Sequence, residues 1–139
     1  MTKRRRSREY ALQMLFQLDM TGKAFTPEVW NEFWEGNAEE AEVKEFTRDI
    51  VANTLSNIHE IDEIIKKAAE NWSIERMAII DRNILRAATY ELSYRADIPA
   101  SVAINEALEI AKKYSTEESA PFINGILDRI AHLEKKDSK

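Results

Sequence analysis

The chain contains no cysteine, which excludes disulfide frameworks, thiolate metal sites and cysteine nucleophiles and is compatible with a reducing cytoplasm. Glycine and proline are scarce, with three of each, so few turns are available and long helices are favoured over many short strands. Gly22, Gly36 and Gly125 stand far apart, and no glycine-rich loop exists to bring backbone N–H groups against a phosphate or dinucleotide. His59 and His132 have no partner at metal-ligand spacing, and no G-x-S-x-G elbow presents a serine nucleophile. No catalytic residue, metal or cofactor is therefore expected. No apolar run approaches the roughly 20 residues that a bilayer-spanning helix needs. Basic residues followed by ALQMLF imitate a secretory signal, but Glu9, Gln13, Gln17 and Asp19 interrupt the apolar stretch. A cytoplasmic protein with no membrane association is the expectation.

What is present fits one domain spanning 1–139. A hydrophobic share of 44% supplies enough apolar surface to offset chain entropy without covalent staples. Charge is unevenly placed on this chain of net charge -5. Lys3, Arg4, Arg5, Arg6 and Arg8 crowd into a basic arm over 1–8, whereas Phe25 to Asp62 holds ten acidic residues against Lys44 and Arg48. Such polarity lets one side of a molecule repel nucleic acid while another holds it.

Apolar spacing predicts about seven helices and no strand, an all-α fold. Ala11, Leu12, Leu15, Phe16 and Leu18 mark the first, with Ser7 as N-cap and Thr21-Gly22 as its stop. Thr26-Pro27 opens a short helix whose Val29, Trp30, Phe33 and Trp34 form a lid on the core, ending near Gly36. The run from Val43 to Ala68 is too long for one ordinary helix and divides near Ser56-Asn57. Ser73 is expected to cap the next helix, Ser101 to cap the one after Pro99, and Ser119-Ala120-Pro121 to start the last. The polar tail 135–139 is expected to be disordered.

Several features invite a functional reading beside a plain one. The carboxylates Glu39, Glu40, Glu42 and Glu45 read as a solvated helix face. The basic arm has three readings, a localisation tract, a solubilising arm or a phosphate-binding arm that runs into a helix with Arg8 on its exposed face, with nucleic-acid binding and solubilisation evenly matched on these residues alone. Gly125 lies early in a helix, where it costs about 1 kcal/mol relative to alanine, so close approach of another helix or of a ligand is expected there. Phe122, beside Lys112, Lys113 and Tyr114, has the chemistry to stack on an RNA base, although core packing is the ordinary role of such a residue.

The stretches RRRSREYALQMLFQLD, ILRAATYEL and IPASVAINEALEIAKKYSTEESAPFINGILDRI together closely resemble the NusB family of bacterial transcription antitermination proteins. The resemblance covers nearly the whole chain. It implies a noncatalytic all-helical protein that binds the boxA element of single-stranded RNA from ribosomal RNA operons jointly with NusE, a small-subunit ribosomal protein, and joins other Nus factors on RNA polymerase. It places the family's arginine-rich start on Arg4, Arg5, Arg6 and Arg8 as phosphate ligands, and a further RNA-binding segment on Lys113, Tyr114 and Phe122. Arginine suits the role because its planar fork pairs with phosphate or stacks on a base. Glu118 lies in that segment as a carboxylate that tunes affinity by repulsion. Phe16 and Asp81 match positions near the RNA and NusE surfaces, where family members often carry tyrosine and glutamate. The acidic middle is the surface expected to meet the basic NusE. A protein-interaction scaffold or an RNA-targeting module without its own RNA specificity is the alternative, and a homodimer is left open.

Overall fold

A computed structural model describes residues 1–70 and 72–134; the tail at 135–139 lies outside the described residues. Its α-helices are α1 (Lys3–Thr21), α2 (Pro27–Glu35), α3 (Ala41–Ser56), α4 (Ile58–Ala68), α5 (Ile79–Tyr94), α6 (Ala100–Tyr114) and α7 (Ser119–Leu133), with a 3₁₀ turn at Ile74–Arg76. No strand occurs among the described residues, and no helix there is long and apolar enough to cross a membrane.

α5 is the axis of the fold. It packs on α1, α3, α4, α6 and α7. Its Ile84, Leu85, Ala88, Tyr90 and Leu92 join Leu12, Met14 and Leu15 of α1, Ile50 and Val51 of α3, and Ile123, Leu127 and Ile130 of α7 in one buried core. The helical spacing of these apolar residues is what makes the elements amphipathic, and their burial against α5 stabilises helices too short to persist alone.

The helix ends explain where sequence reading needed correction. α1 begins four residues before the expected cap: Thr2 is its N-cap and its hydroxyl accepts from the Arg5 N–H at 3.0 Å. From Lys3 onward the basic stretch is therefore helix rather than an extended arm. Ser7 serves instead as a clamp; its buried Oγ donates to the Val43 carbonyl at 2.9 Å, and Thr47 Oγ1 donates to the Ser7 carbonyl at 3.3 Å. The far end stops at Gly22, whose left-handed φ of 72° lets its N–H reach the Leu18 carbonyl. Ser73 precedes only the 3₁₀ turn, and α5 starts at Ile79. Pro99, not Ser101, stands at the N-cap of α6, where its carbonyl accepts from the Val102 and Ala103 N–H groups at 3.1 Å each.

The expected aromatic lid is present. Trp34 is buried and meets the edges of Tyr10 at 5.0 Å, Phe33 at 5.0 Å and Trp30 at 5.3 Å. Edge-to-face packing of this kind places positive ring edges against negative faces. It fastens α2 to α1.

Candidate nucleic-acid interface

The basic head lies on α1 where that helix runs between α3 and α6, and its cations meet carboxylates on both sides. Arg5 makes a two-point pair with Glu106 of α6, at 2.5 and 2.8 Å. Arg6 turns the other way, donating to Glu39 at 2.9 and 3.3 Å and to Glu40 at 3.2 Å. Lys3 lies 3.2 Å from Glu40 and 3.1 Å from Glu42. Arg4 is exposed, with its guanidinium 4.2 Å above the Phe46 ring, and among the described residues no carboxylate sits within ion-pair distance of it.

Arg8 departs from the expectation of an exposed face. Only 8% of it is accessible, and its Nε and Nη2 donate to the two carboxylate oxygens of Glu91 on α5 at 2.8 Å each. Spacing explains this: Arg8 precedes Leu12 by one helical turn and so continues the inward stripe of α1. Its guanidinium is held in the interior and would have to leave Glu91 to meet a phosphate.

Lys113 and Tyr114 converge on one carboxylate oxygen. Glu9 Oε1 accepts from Lys113 Nζ at 2.9 Å and from the Tyr114 hydroxyl at 2.8 Å, while Gln13 Nε2 donates to that hydroxyl at 3.4 Å. The bond to Glu9 raises the Lys113 pKa above its ordinary value and keeps the ammonium charged. Burial, with the Glu9 contact second, pushes the Tyr114 phenol up, so it stays a neutral donor. The Arg5 bonds likewise hold the Glu106 carboxyl below its ordinary range.

Beyond Tyr114 the surface opens into a groove of about 690 Å³ between α1 and α2, lined by Phe16, Met20, Val29, Phe33 and Ile80. Phe16 is half-buried there. Another groove, of about 260 Å³, has Trp72, Arg76, Asp81, Glu118 and Phe122 on its walls. Ile80 lines the first groove and Asp81 the second, so both grooves border the start of α5. Asp81 is itself buried and accepts from the Ser115 and Ser119 hydroxyls at 2.7 and 2.9 Å, tying the α6–α7 turn to α5. Glu118, on that turn, is exposed.

Some participants were missed in the sequence. Trp72 is 56% exposed and packs edge-to-face on Phe122 at 5.6 Å; nothing in its local sequence announces the pairing. Glu9 and Glu106 had a readable signal only in part, since Glu9 follows Arg5 by one turn on the same face. The solvated-face reading holds for Glu40 and Glu42, which stay exposed while they pair with Lys3 and Arg6, and fails for Glu39, whose side chain is only 10% exposed against Arg6. Gly125 has open space where its Cβ would stand, with nothing within 4 Å, so no neighbouring helix explains it.

The fold and this surface define an all-helical recognition protein, in which cations, carboxylates and aromatic rings meet at the seams between helices. The NusB family model matches residues 5–132, and the chain belongs to the NusB family. The transcription antitermination protein NusB of Thermodesulfovibrio yellowstonii is 52% identical over 95% of this chain and 93% of its own length. That of Myxococcus xanthus is 45% identical over 92% of this chain and 94% of its own. The solved structure of T. maritima NusB superposes with a TM-score of 0.88 at 39% identity, covering 99% of each chain. A chain from the crystal structure of antitermination factors NusB and NusE in complex with dsRNA superposes at 0.85 with 28% identity, covering 96% of this chain and 98% of that one. The family is one of transcription antitermination factors, not of enzymes.

Proposed function

We propose that this protein is a noncatalytic antitermination factor that binds boxA RNA of ribosomal RNA operons together with NusE and joins RNA polymerase with other Nus factors in the cytoplasm. The observation that carries the reading is the seam between α1 and α6, where Arg5, Lys113 and Tyr114 stand side by side in a chain of this family. Arg4, Arg5, Arg6 and Lys113 supply phosphate contacts, and Tyr114 and Phe122 supply ring faces for unpaired bases. Arg8 is a positioning residue that holds the head onto α5. Asp81 positions the turn that carries Glu118. Phe16 lines the groove into which the bound strand or NusE extends.

Fluorescence anisotropy of a labelled boxA RNA, with and without NusE and across a salt series, tests this. Four phosphate contacts to a single strand give a log–log salt slope of roughly -3. Tight binding that ignores salt would sink the assignment of the head. A protein-only scaffold is the second reading, favoured by the carboxylates that already pair with Lys3, Arg5 and Arg6. Unchanged RNA binding in Arg4→Glu with Arg5→Glu would select it.

A further inference from the structure

The carboxylates on Lys3 and Arg6 do not belong to the helix that carries those cations. Glu39 and Glu40 come from the segment between α2 and α3, and Glu42 from the first turn of α3. Arg6 Nε points at Glu39 Oε2 at 2.9 Å and its Nη2 at Glu40 Oε2 at 3.2 Å, while Lys3 Nζ sits 3.1 Å from Glu42 Oε1. A phosphate would take the same N–H donors, and it would be a third anion at each cation, since Arg6 Nη2 already serves Glu39 and Glu40 and Lys3 Nζ serves Glu40 and Glu42. Glu39 is fixed in place as well. It accepts from the Tyr10 hydroxyl at 3.1 Å, and its side chain is only 10% exposed. The Arg6 bonds hold its carboxyl below the ordinary range, so it stays ionised at neutral pH. Glu40 and Glu42, at 57% and 74% side-chain exposure, are free to swing away once a stronger anion arrives.

We infer that Glu39, Glu40 and Glu42 are an internal competitor for RNA phosphate, occupying Lys3 and Arg6 in the unbound protein and setting the affinity threshold that an RNA must exceed. This rests on the head being RNA-facing. The penalty falls on every RNA alike. A complex made by phosphate contacts alone thereby drops out of the working concentration range, whereas one that adds base contacts at Tyr114 and Phe122 survives. The device also reconciles a basic head with an acidic protein, because the acidic segment lies directly on it.

The test measures binding of an oligouridylate and of a boxA RNA of equal length to the full chain carrying Glu39→Gln, Glu40→Gln and Glu42→Gln. Each of the three carboxylates removed contributes a factor of about two, so the variant should bind both RNAs about tenfold tighter near 0.1 M salt. The gain should shrink toward nothing as salt rises, because exposed charges are screened. Should the triple variant unfold, Glu40→Gln with Glu42→Gln leaves the Glu39–Tyr10 contact intact and should give a smaller gain of the same sign. Arg6→Gln in the parent chain, set beside Arg4→Glu with Arg5→Glu, separates the two readings: unchanged RNA affinity in both refutes the RNA-facing head itself, and unchanged affinity in Arg6→Gln alone overturns the competitor. Weaker binding by Arg6→Gln with no gain from the glutamate variants, or a gain that ignores salt, overturns the competitor alone.

Discussion

Removing the carboxylate of Glu91 tests whether Arg8 is a structural ion pair or a nucleic-acid contact. Both partners are more than nine-tenths buried as side chains, at 8% and 4% exposure, and Arg8 also lies 3.5 Å from Glu106. Glu91→Ala leaves a guanidinium desolvated without its main counter-charge. Loss of one member of such a buried pair destabilises by about 3 to 5 kcal/mol. With 139 residues and about 2.1 cal/mol/K of unfolding entropy for each, one kcal/mol moves the midpoint by about 3.4 °C, so the melting temperature should fall by about 10 to 17 °C. Replacing both members, as Arg8→Met with Glu91→Leu, removes the two charges together and should recover most of that loss, since apolar pairs of similar volume are often neutral or better. Thermal melts by circular dichroism read the stability, and anisotropy at a temperature where all variants are folded reads RNA affinity. The double variant should bind RNA within about twofold of the parent, because a positioning role is met by any well-packed pair. A double variant that regains its melting temperature but loses tenfold or more in RNA affinity would refute the structural assignment and return Arg8 to the phosphate contacts.

Gly125→Ala should raise stability by up to about 1 kcal/mol, or about 3 °C, because the helix gains propensity and the new Cβ meets nothing within 4 Å; a lower melting temperature would contradict this, and weaker partner binding alongside higher stability would show that a ligand needs the bare backbone. Acid stability should track Asp19, whose carboxyl is held below its ordinary range chiefly by Arg82, with Asn83 and Arg86 adding to it against burial. A depressed folded pKa contributes stability that is complete above the unfolded value of about 3.9 and is lost as pH falls through the lower folded value. Asp19→Asn should therefore lower the melting temperature at pH 7 and flatten its decline below about pH 4; an unchanged decline would remove Asp19 as its source. Phe122→Ala should weaken boxA RNA binding by about 1 to 3 kcal/mol, as removal of a base-stacking ring does, and RNA lacking the stacked base should bind parent and variant alike; equal loss on both RNAs would point to packing against Trp72 instead.

Helix content was readable because it depends on spacing within a dozen residues. The α2 lid, the division at Ser56-Asn57 and the start of α7 follow from local periodicity and turn chemistry alone. Helix starts were less legible. Thr2, Ser7, Ser73 and Ser101 all have N-cap chemistry, and only the packing of α1 against α3 makes Ser7 a clamp rather than a cap. The candidate interface shows the same limit. The sequence pointed to Arg5, Lys113 and Tyr114, but not to Glu9 as the carboxylate that gathers the last two from more than a hundred residues away.

By itself the sequence determined an all-helical chain, its polarity of charge and its resemblance to an antitermination family, since composition, period and motif order need no partner in space. Only the tertiary structure decided which way each cation of the head faces. Arg8, on the same stripe as Leu12 and Leu15, goes inward to Glu91, Arg5 goes to α6, and Lys3 and Arg6 go to the acidic segment before and within α3. The reason is range: a charge finds its partner only after helices distant in sequence have packed, and the apolar stripes that drive that packing carry no record of which carboxylates they will bring alongside.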